Sequence, residues 1–206
     1  MEKKLLKDGY KIIAGIDEAG RGPLAGPVVA ACVACNGQFS PHRELLAQVD
    51  DSKKLSPKKR DELFLLLMKN TDLQIGVGSS SHQEIDRLNI FQATLLAMSR
   101  AVAALKTKPK FLLVDGRFVI PRLAIAQKAV VKGDGKHFLI AAASIIAKVT
   151  RDRIMYDWHQ QFPEYNFSRH KGYGTKEHLK QLKKNGPCVI HRQTFKPVAS
   201  LLSPIK

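Results

Sequence analysis

The chain is short of three things: cysteine, acidic residues and long apolar runs. It holds three cysteines, Cys32, Cys35 and Cys188, among 206 residues. So few, and an odd number, cannot build a disulfide framework; they suit a reducing compartment. Cys32 and Cys35 form C-x-x-C, which raises a redox pair or half a zinc site. No second C-x-x-C completes four zinc ligands. The pair sits with the apolar run Val28–Ala34, where thiols behave as small apolar side chains, and a buried strand is the favoured reading. No stretch approaches the roughly 20 apolar residues of a membrane helix. Met1–Lys11 is charged and does not read as a secretory signal. A cytoplasmic protein with no membrane partner is expected.

Acids are scarce against bases: 18 Asp and Glu face 34 Lys and Arg, for a net charge of +16. Such an excess says little about fold and much about partners. Nucleic acid is the first candidate; a solubilising surface is the plain alternative. What remains is ordinary. Hydrophobic residues make up 44% and charged ones 25%, as in soluble globular domains. A chain this long buries roughly 70% of its unfolded surface, so it needs no disulfide or structural metal to fold.

Strand and helix patterns alternate. Lys11–Ile16 reads as a strand ending in Asp17-Glu18, and Val28–Ala34 as a buried second strand. Between them Gly20, Gly22, Gly26, Pro23 and Pro27 predict a loop. Residues 40–55 read as a loop ending in a polar, basic segment. Ser56 caps and Pro57 opens a helix with Leu63, Phe64, Leu67 and Met68 on its apolar face. Leu73–Val77, Lys110–Val114 and Ala124–Val131 read as further strands. One helix is expected from about Ile85 to Leu105, with Leu88, Phe91, Leu95 and Met98 at helical spacing. An alanine-rich helix follows over Ile140–Gln161, then a loop to Gly174, a helix over Thr175–Lys184 and an irregular tail after Pro187. The alternation predicts an α/β layered domain, with the strands around Ile13, Val114 and Val130 buried on both sides.

Three apolar strands run into acids: Ile16-Asp17-Glu18, Val114-Asp115-Gly116 and Val131-Lys132-Gly133-Asp134. Ligands of open α/β sheets bind beyond strand carboxyl ends. If these strands are neighbours, their carboxylates converge, repel and raise one another's pKa; a divalent cation relieves the repulsion. Oxygen-only ligands favour Mg²⁺ or Mn²⁺ over zinc. Two such ions about 4 Å apart would activate water and stabilise the leaving oxygen of a phosphodiester. Any one acid alone is better read as a helix cap or an ion-pair partner, but three strand-terminal acids together favour a site. Asp152, between Arg151 and Arg153, reads as an ion-paired helix residue. His170, His178 and His191 lack close paired spacing and read as neutral or surface histidines rather than metal ligands.

The segment Gly15-Ile16-Asp17-Glu18-Ala19-Gly20-Arg21-Gly22-Pro23-Leu24-Ala25-Gly26-Pro27-Val28 resembles the N-terminal signature of the ribonuclease HII family. The likeness continues at Asp51–Ser56, Val114–Gly116, Lys132–Asp134, Ile140–Asp152 and His170–Thr175, in family order over nearly the whole chain. It implies a ribonuclease H-like fold: a five-stranded mixed sheet flanked by helices, with a C-terminal helical extension. The expected division is a catalytic domain over residues 1–162 and an extension over 163–206 that contributes to substrate binding. The resemblance places a four-carboxylate centre on Asp17, Glu18, Asp115 and Asp134, holding Mg²⁺ or Mn²⁺. It makes Gly20-Arg21-Gly22 a ribonucleotide-sensing loop, whose backbone meets the 2′-hydroxyl that distinguishes RNA from DNA. It gives Tyr173 the sugar at the RNA-to-DNA junction. Ser52, Lys53 and Lys54 suit phosphate contacts, with Lys148 and Arg151 as secondary candidates. The implied activity is endonucleolytic: cleavage of RNA in RNA–DNA hybrids, and nicking 5′ to embedded ribonucleotides, leaving 3′-hydroxyl and 5′-phosphate ends.

The run Gly135-Lys136-His137-Phe138 departs from the smaller or polar residues expected after the fourth acid. Leu201–Lys206 does not read as a clamp-binding peptide, and the long N-terminal extension of ribonuclease HIII is absent. A monomer is expected. Two rival classes are a non-catalytic nucleic-acid-binding module and another ribonuclease H-like phosphotransferase, such as an integrase or resolvase. Retention of all four acids counts against the first, and Gly20-Arg21-Gly22 together with Tyr173 against the second.

Overall fold

A computed structural model describes residues 1–36 and 55–202. Ser52, Lys53 and Lys54 lie outside the described residues. The described elements are α1 (Glu2–Lys7), β1 (Ile12–Ala19), β2 (Val28–Asn36), α2 (Pro57–Lys69), β3 (Leu73–Ser80), α3 (His82–Leu88) and α4 (Ile90–Ala103). They continue with β4 (Phe111–Asp115), β5 (Ala126–Val130), α5 (Phe138–Gln161), α6 (Phe167–His170), α7 (Lys176–Asn185) and α8 (Val198–Leu202). The five strands form one mixed sheet in the order β3-β2-β1-β4-β5. β1, β2 and β3 pair antiparallel, while β4 and β5 run parallel to β1.

Period-two alternation distributes the sheet's side chains between two apolar layers. Ile13, Ala31, Val33 and Cys35 face α5 and α2, while Ala14, Ile16, Ala30, Cys32 and Ala34 face α3 and α4. Cys32 and Cys35 therefore point to opposite faces, which excludes both a bridge and a shared metal. Burial pushes both thiols up, Cys35 to about 12. The strand reading of this C-x-x-C is correct.

Several expectations need correction. β1 does not stop before the acids; Asp17 and Glu18 pair with Ala31 and Ala30 of β2 and lie within the strand. β5 is the sheet edge and is half-exposed, with only Val130 buried, so it is not covered on both faces. Met68 turns outward from α2, leaving Leu63, Phe64 and Leu67 to make the contact. The single helix expected over 85–105 is two. Asn89 sits at φ 68°, which Asn tolerates better than most residues, and its side chain accepts from the amides of Phe91 and Gln92 to start α4. The preceding Ser81 and Glu84 form a reciprocal capping box for α3.

The ends of the chain are also more ordered than their patterns suggest. In α1, Glu2 Oε1 accepts the Leu139 amide at 2.8 Å and caps α5 from a distant segment. The expected loop before Gly174 contains a 3₁₀ turn over Pro163–Tyr165 and the single turn α6. The expected irregular tail pairs His191 with Ala25 and forms α8. His170, His178 and His191 are neutral in character but not superficial. They are buried beside Tyr165 and Phe167, and burial lowers all three pKa values, His178 and His191 to about 4.

Two predictions follow from this packing. A Cβ on Gly15 would overlap the backbone of Leu139 and Ile140, where α5 crosses β1. Gly15→Ala should cost about 1–3 kcal/mol, lowering the melting temperature by roughly 2–4 °C per kcal/mol; an unchanged melting curve would mean the crossing is looser. For the histidines, a lowered folded pKa means that the stability their neutral forms contribute is complete above about 6.5. It is lost as pH falls toward about 4. Proton NMR of the imidazole C2–H of His178 and His191 should show no titration near pH 6.5, and a midpoint there would contradict their burial.

Candidate active site

The parallel register of β1 and β4 aligns Ile16 with Val114. One residue further on, Asp17 and Asp115 stand side by side at the carboxyl ends of adjacent strands. Asp17 is buried. Its carboxyl is pushed well above the usual range by desolvation, then by the charges of Glu18 and Asp115. The Ser144 side chain of α5 and the Glu18 amide, whose nitrogen lies 2.7 Å from Asp17 Oδ1, act against that rise. Glu18 is also raised by burial, despite a 3.1 Å ion pair with Arg21 that opposes the shift.

Beyond β5 the chain turns through Lys132 in the left-handed region into a 3₁₀ turn over Gly133–Gly135. The Gly133 amide donates to Asp115 Oδ1 at 2.7 Å. That bond draws the turn, with buried Asp134, toward the end of β4. Asp134 thus sits on a turn beside β4 rather than at a strand end. Among the described residues no three His, Cys, Asp or Glu side chains stand together as a group that could hold a metal ion. The chemistry of these side chains nevertheless fits a hard divalent cation: they offer oxygen only, and the Asp17 carboxylate is destabilised by burial and then by its neighbours.

A cleft of about 420 Å³ opens beside Glu18, lined by Gly20, Arg21, Gly22, Arg60, Ser144, Lys148 and Tyr173. Tyr173 is 41% exposed, and a Cβ added to Gly22 would stand 3.9 Å from its ring. Lys148 Nζ stands 5.7 Å and the Arg151 guanidinium 5.8 Å from the ring centroid, within cation–π range. Lys148 also holds Asp152 at 2.7 Å, so Asp152 is the ion-paired helix residue expected, with Lys148 rather than its neighbouring arginines as partner.

The loop is held from beneath by two fully buried guanidinium groups. Arg192 donates to the carbonyls of Gly20, Arg21, Gly26 and Pro27 at 2.6–3.3 Å. Arg151 donates to those of Ala25, Pro27 and Lys171 at 2.9–3.1 Å. Arg151 is therefore a support for the loop and not a phosphate contact. Burial lowers both guanidinium pKa values, to about 9 for Arg192 and about 10 for Arg151. Gly20 has φ 98°, and a Cβ there would strike the Arg151 side chain.

Ser144, Arg60 and Arg192 join the cleft and its support without being singled out by any motif. Ser144 carried a signal, as the one polar side chain of the run Phe138–Ala147. Arg192 carried none, because its acceptors lie some 170 residues earlier.

A five-stranded mixed sheet whose adjacent parallel strands deliver carboxylates to one end, with helices on both faces, defines a ribonuclease H-like protein. The family model for ribonuclease HII matches residues 14–198. The chain is 51% identical over 194 residues to the ribonuclease HII of Caldanaerobacter subterraneus subsp. tengcongensis, covering 94% of this chain and 78% of that protein. The crystal structure of ribonuclease H2 from Pyrococcus horikoshii superposes with a TM-score of 0.76 at 30% identity, covering 92% of this chain and 96% of that one. The ribonuclease HII of Archaeoglobus fulgidus, in its complex with PCNA, gives 0.74 at 32% identity, over 90% and 95% of the two chains. This chain belongs to the ribonuclease HII family. It is accordingly a type 2 ribonuclease H, in a family of divalent-metal-dependent endonucleases that degrade RNA in RNA–DNA hybrids.

If the Arg192 fork sustains the loop, Arg192→Lys should cost on the order of 3 kcal/mol. A compact ammonium cannot serve four carbonyls on a broad arc. Thermal unfolding followed by circular dichroism measures this, and a lysine variant as stable as the parent would show that the fork is dispensable.

Proposed function

We propose that this chain hydrolyses the RNA strand of RNA–DNA hybrids and also nicks duplex DNA 5′ to an embedded ribonucleotide. The products carry 3′-hydroxyl and 5′-phosphate ends. The observation that carries this reading is the shared cleft. Its lining includes Glu18, the neighbour of Asp17, together with Gly20, Arg21, Gly22 and Tyr173. Cleavage chemistry and ribonucleotide reading thus meet at one place.

In this reading Asp17 and Asp115 are the central ligands, and Glu18 and Asp134 complete two cation sites for Mg²⁺ or Mn²⁺. Cations bound there would supply activation of a water and neutralisation of charge at the phosphate. The chain's own residues do the positioning. Ser144 holds the Asp17 carboxylate, and Arg21 holds that of Glu18. The backbone of residues 20–22 offers amide and carbonyl groups to the 2′-hydroxyl, which is both donor and acceptor. The exposed face of Tyr173 packs on the sugar just 3′ of the ribonucleotide. Lys148, with Ser52, Lys53 and Lys54, meets the phosphate backbone. Residues 1–162 form the catalytic domain, and residues 163–206 an extension that supplies Tyr173. The chain works as a cytoplasmic monomer. Among the described residues no helix is long and apolar enough to cross a membrane.

The test is a duplex carrying one ribonucleotide, incubated with each variant in Mg²⁺. Asp17→Asn or Asp115→Asn should abolish nicking while leaving duplex binding nearly intact. Without metal either change should tighten binding, since it removes a negative charge facing phosphate. Near-normal turnover by either variant would refute the ligand assignment.

A further inference from the structure

The buried histidines do more than fill the core under the cleft. Their hydrogen bonds fix every tautomer. The Cys188 amide donates to His191 Nδ1 at 3.0 Å, and an amide hydrogen cannot rotate away. The Cys188 carbonyl lies farther from the same nitrogen, at 3.3 Å, and a proton on Nδ1 aimed at it would crowd the fixed hydrogen of the Cys188 amide. The Cys188 thiol, pushed up to about 11 by burial, is protonated and stands 3.1 Å from Nδ1 as a second donor. His191 Nδ1 is thus an acceptor, and the neutral ring carries its proton on Nε2.

That proton faces His178 Nε2 at 3.0 Å, so His178 Nε2 accepts. His178 then carries its proton on Nδ1, which donates to the Tyr173 carbonyl at 2.9 Å. The Thr175 amide uses that carbonyl's second lone pair at 2.8 Å. His170 is fixed in the same way. Its Nδ1 accepts the Gly172 amide at 3.2 Å and its Nε2 donates to the Tyr165 carbonyl at 2.7 Å. Its ring stacks on His178 with centroids 4.4 Å apart.

We propose that His178 is a positioning residue for the junction. The one-way chain Cys188, His191, His178, Tyr173 holds the Tyr173 carbonyl and thereby sets the height of its ring above the cleft. This rests on the reading of Tyr173 as the sugar-contacting residue. A second proton on His178 would place two donors across the Nε2–Nε2 contact, and one on His191 would set an Nδ1–H against the Cys188 amide hydrogen; either breaks the chain, which works only with both rings neutral.

Two measurements on the full chain decide it. The first is a long-range ¹⁵N–¹H spectrum of the wild type at pH 7.5. It should show His178 as the Nδ1–H tautomer and His191 as the Nε2–H tautomer; either in the opposite form, or charged, overturns the proposal. The second compares single-turnover cleavage of a lone ribonucleotide with that of a continuous RNA strand. His178→Phe keeps a buried ring but no donor. It should lose up to about 10²-fold at the lone ribonucleotide, the loss expected for roughly 1 Å of misplacement, and less on continuous RNA. His178→Asn places an amide donor where Nδ1 was and should restore most of that loss. Equal losses on both substrates, unrescued by Asn, would mean a merely structural role and overturn the proposal. Tyr173→Ala is the control. If it shows the selective loss and His178→Phe does not, the relay is wrong. If Tyr173→Ala shows none, the junction reading itself fails, and the relay's role in cleavage with it.

Discussion

The bonds from Arg192 and Arg151 to the carbonyls of residues 20–27 are the constraint on which the rest of the cleft depends. This segment leaves β1, turns through Gly20 at positive φ, and returns to β2. It is too irregular to satisfy its own backbone, and buried carbonyls without donors are costly. Two guanidinium forks supply the donors from outside, one from α5 and one from beyond α7. Their charge is met by carbonyl dipoles, which explains why burial lowers both pKa values yet leaves them cationic at neutral pH. The C-terminal segment is therefore not an appendage. Arg192 supports the glycine loop, and His191 beside it reaches Tyr173 through His178.

The same site concentrates the electrostatic contradiction of the chain. A protein of net charge +16 gathers buried carboxylates at the end of its sheet. The excess positive charge suits a polyanion, while the carboxylates alone would repel one. A divalent cation, on which the family depends, would resolve the conflict, and the strain it would relieve is visible at Asp17, raised by burial and by two like charges. Arg21, half-exposed and paired to Glu18, stands where the basic rim meets the acidic floor.

Much of this was legible in the sequence because its signals are local. Strand acids, the glycine-rich turn and the Ser56-Pro57 helix start are read from neighbours in sequence, and the structure brings Asp17, Glu18, Asp115 and the turn carrying Asp134 to one end of the sheet. What was not legible depends on partners far along the chain. Glu2 caps α5 across 137 residues, and Arg192 reaches back 172 residues to Gly20. The histidines carry no periodicity, so their burial follows only from how α6, α7 and the tail pack together. The break at Asn89 is hidden for a different reason: apolar spacing runs through it, and a side-chain cap outweighs that pattern.

The central claim is that this cleft reads one hydroxyl and cuts beside it. The direct measurement uses three duplexes, identical but for one sugar: ribose, 2′-O-methylribose and 2′-deoxyribose. Single-turnover rates are taken in Mg²⁺ and again with the metal chelated. The account predicts cleavage only of the ribose duplex and only with metal present. Comparable cleavage of the deoxyribose duplex, or cleavage that survives chelation, would contradict it.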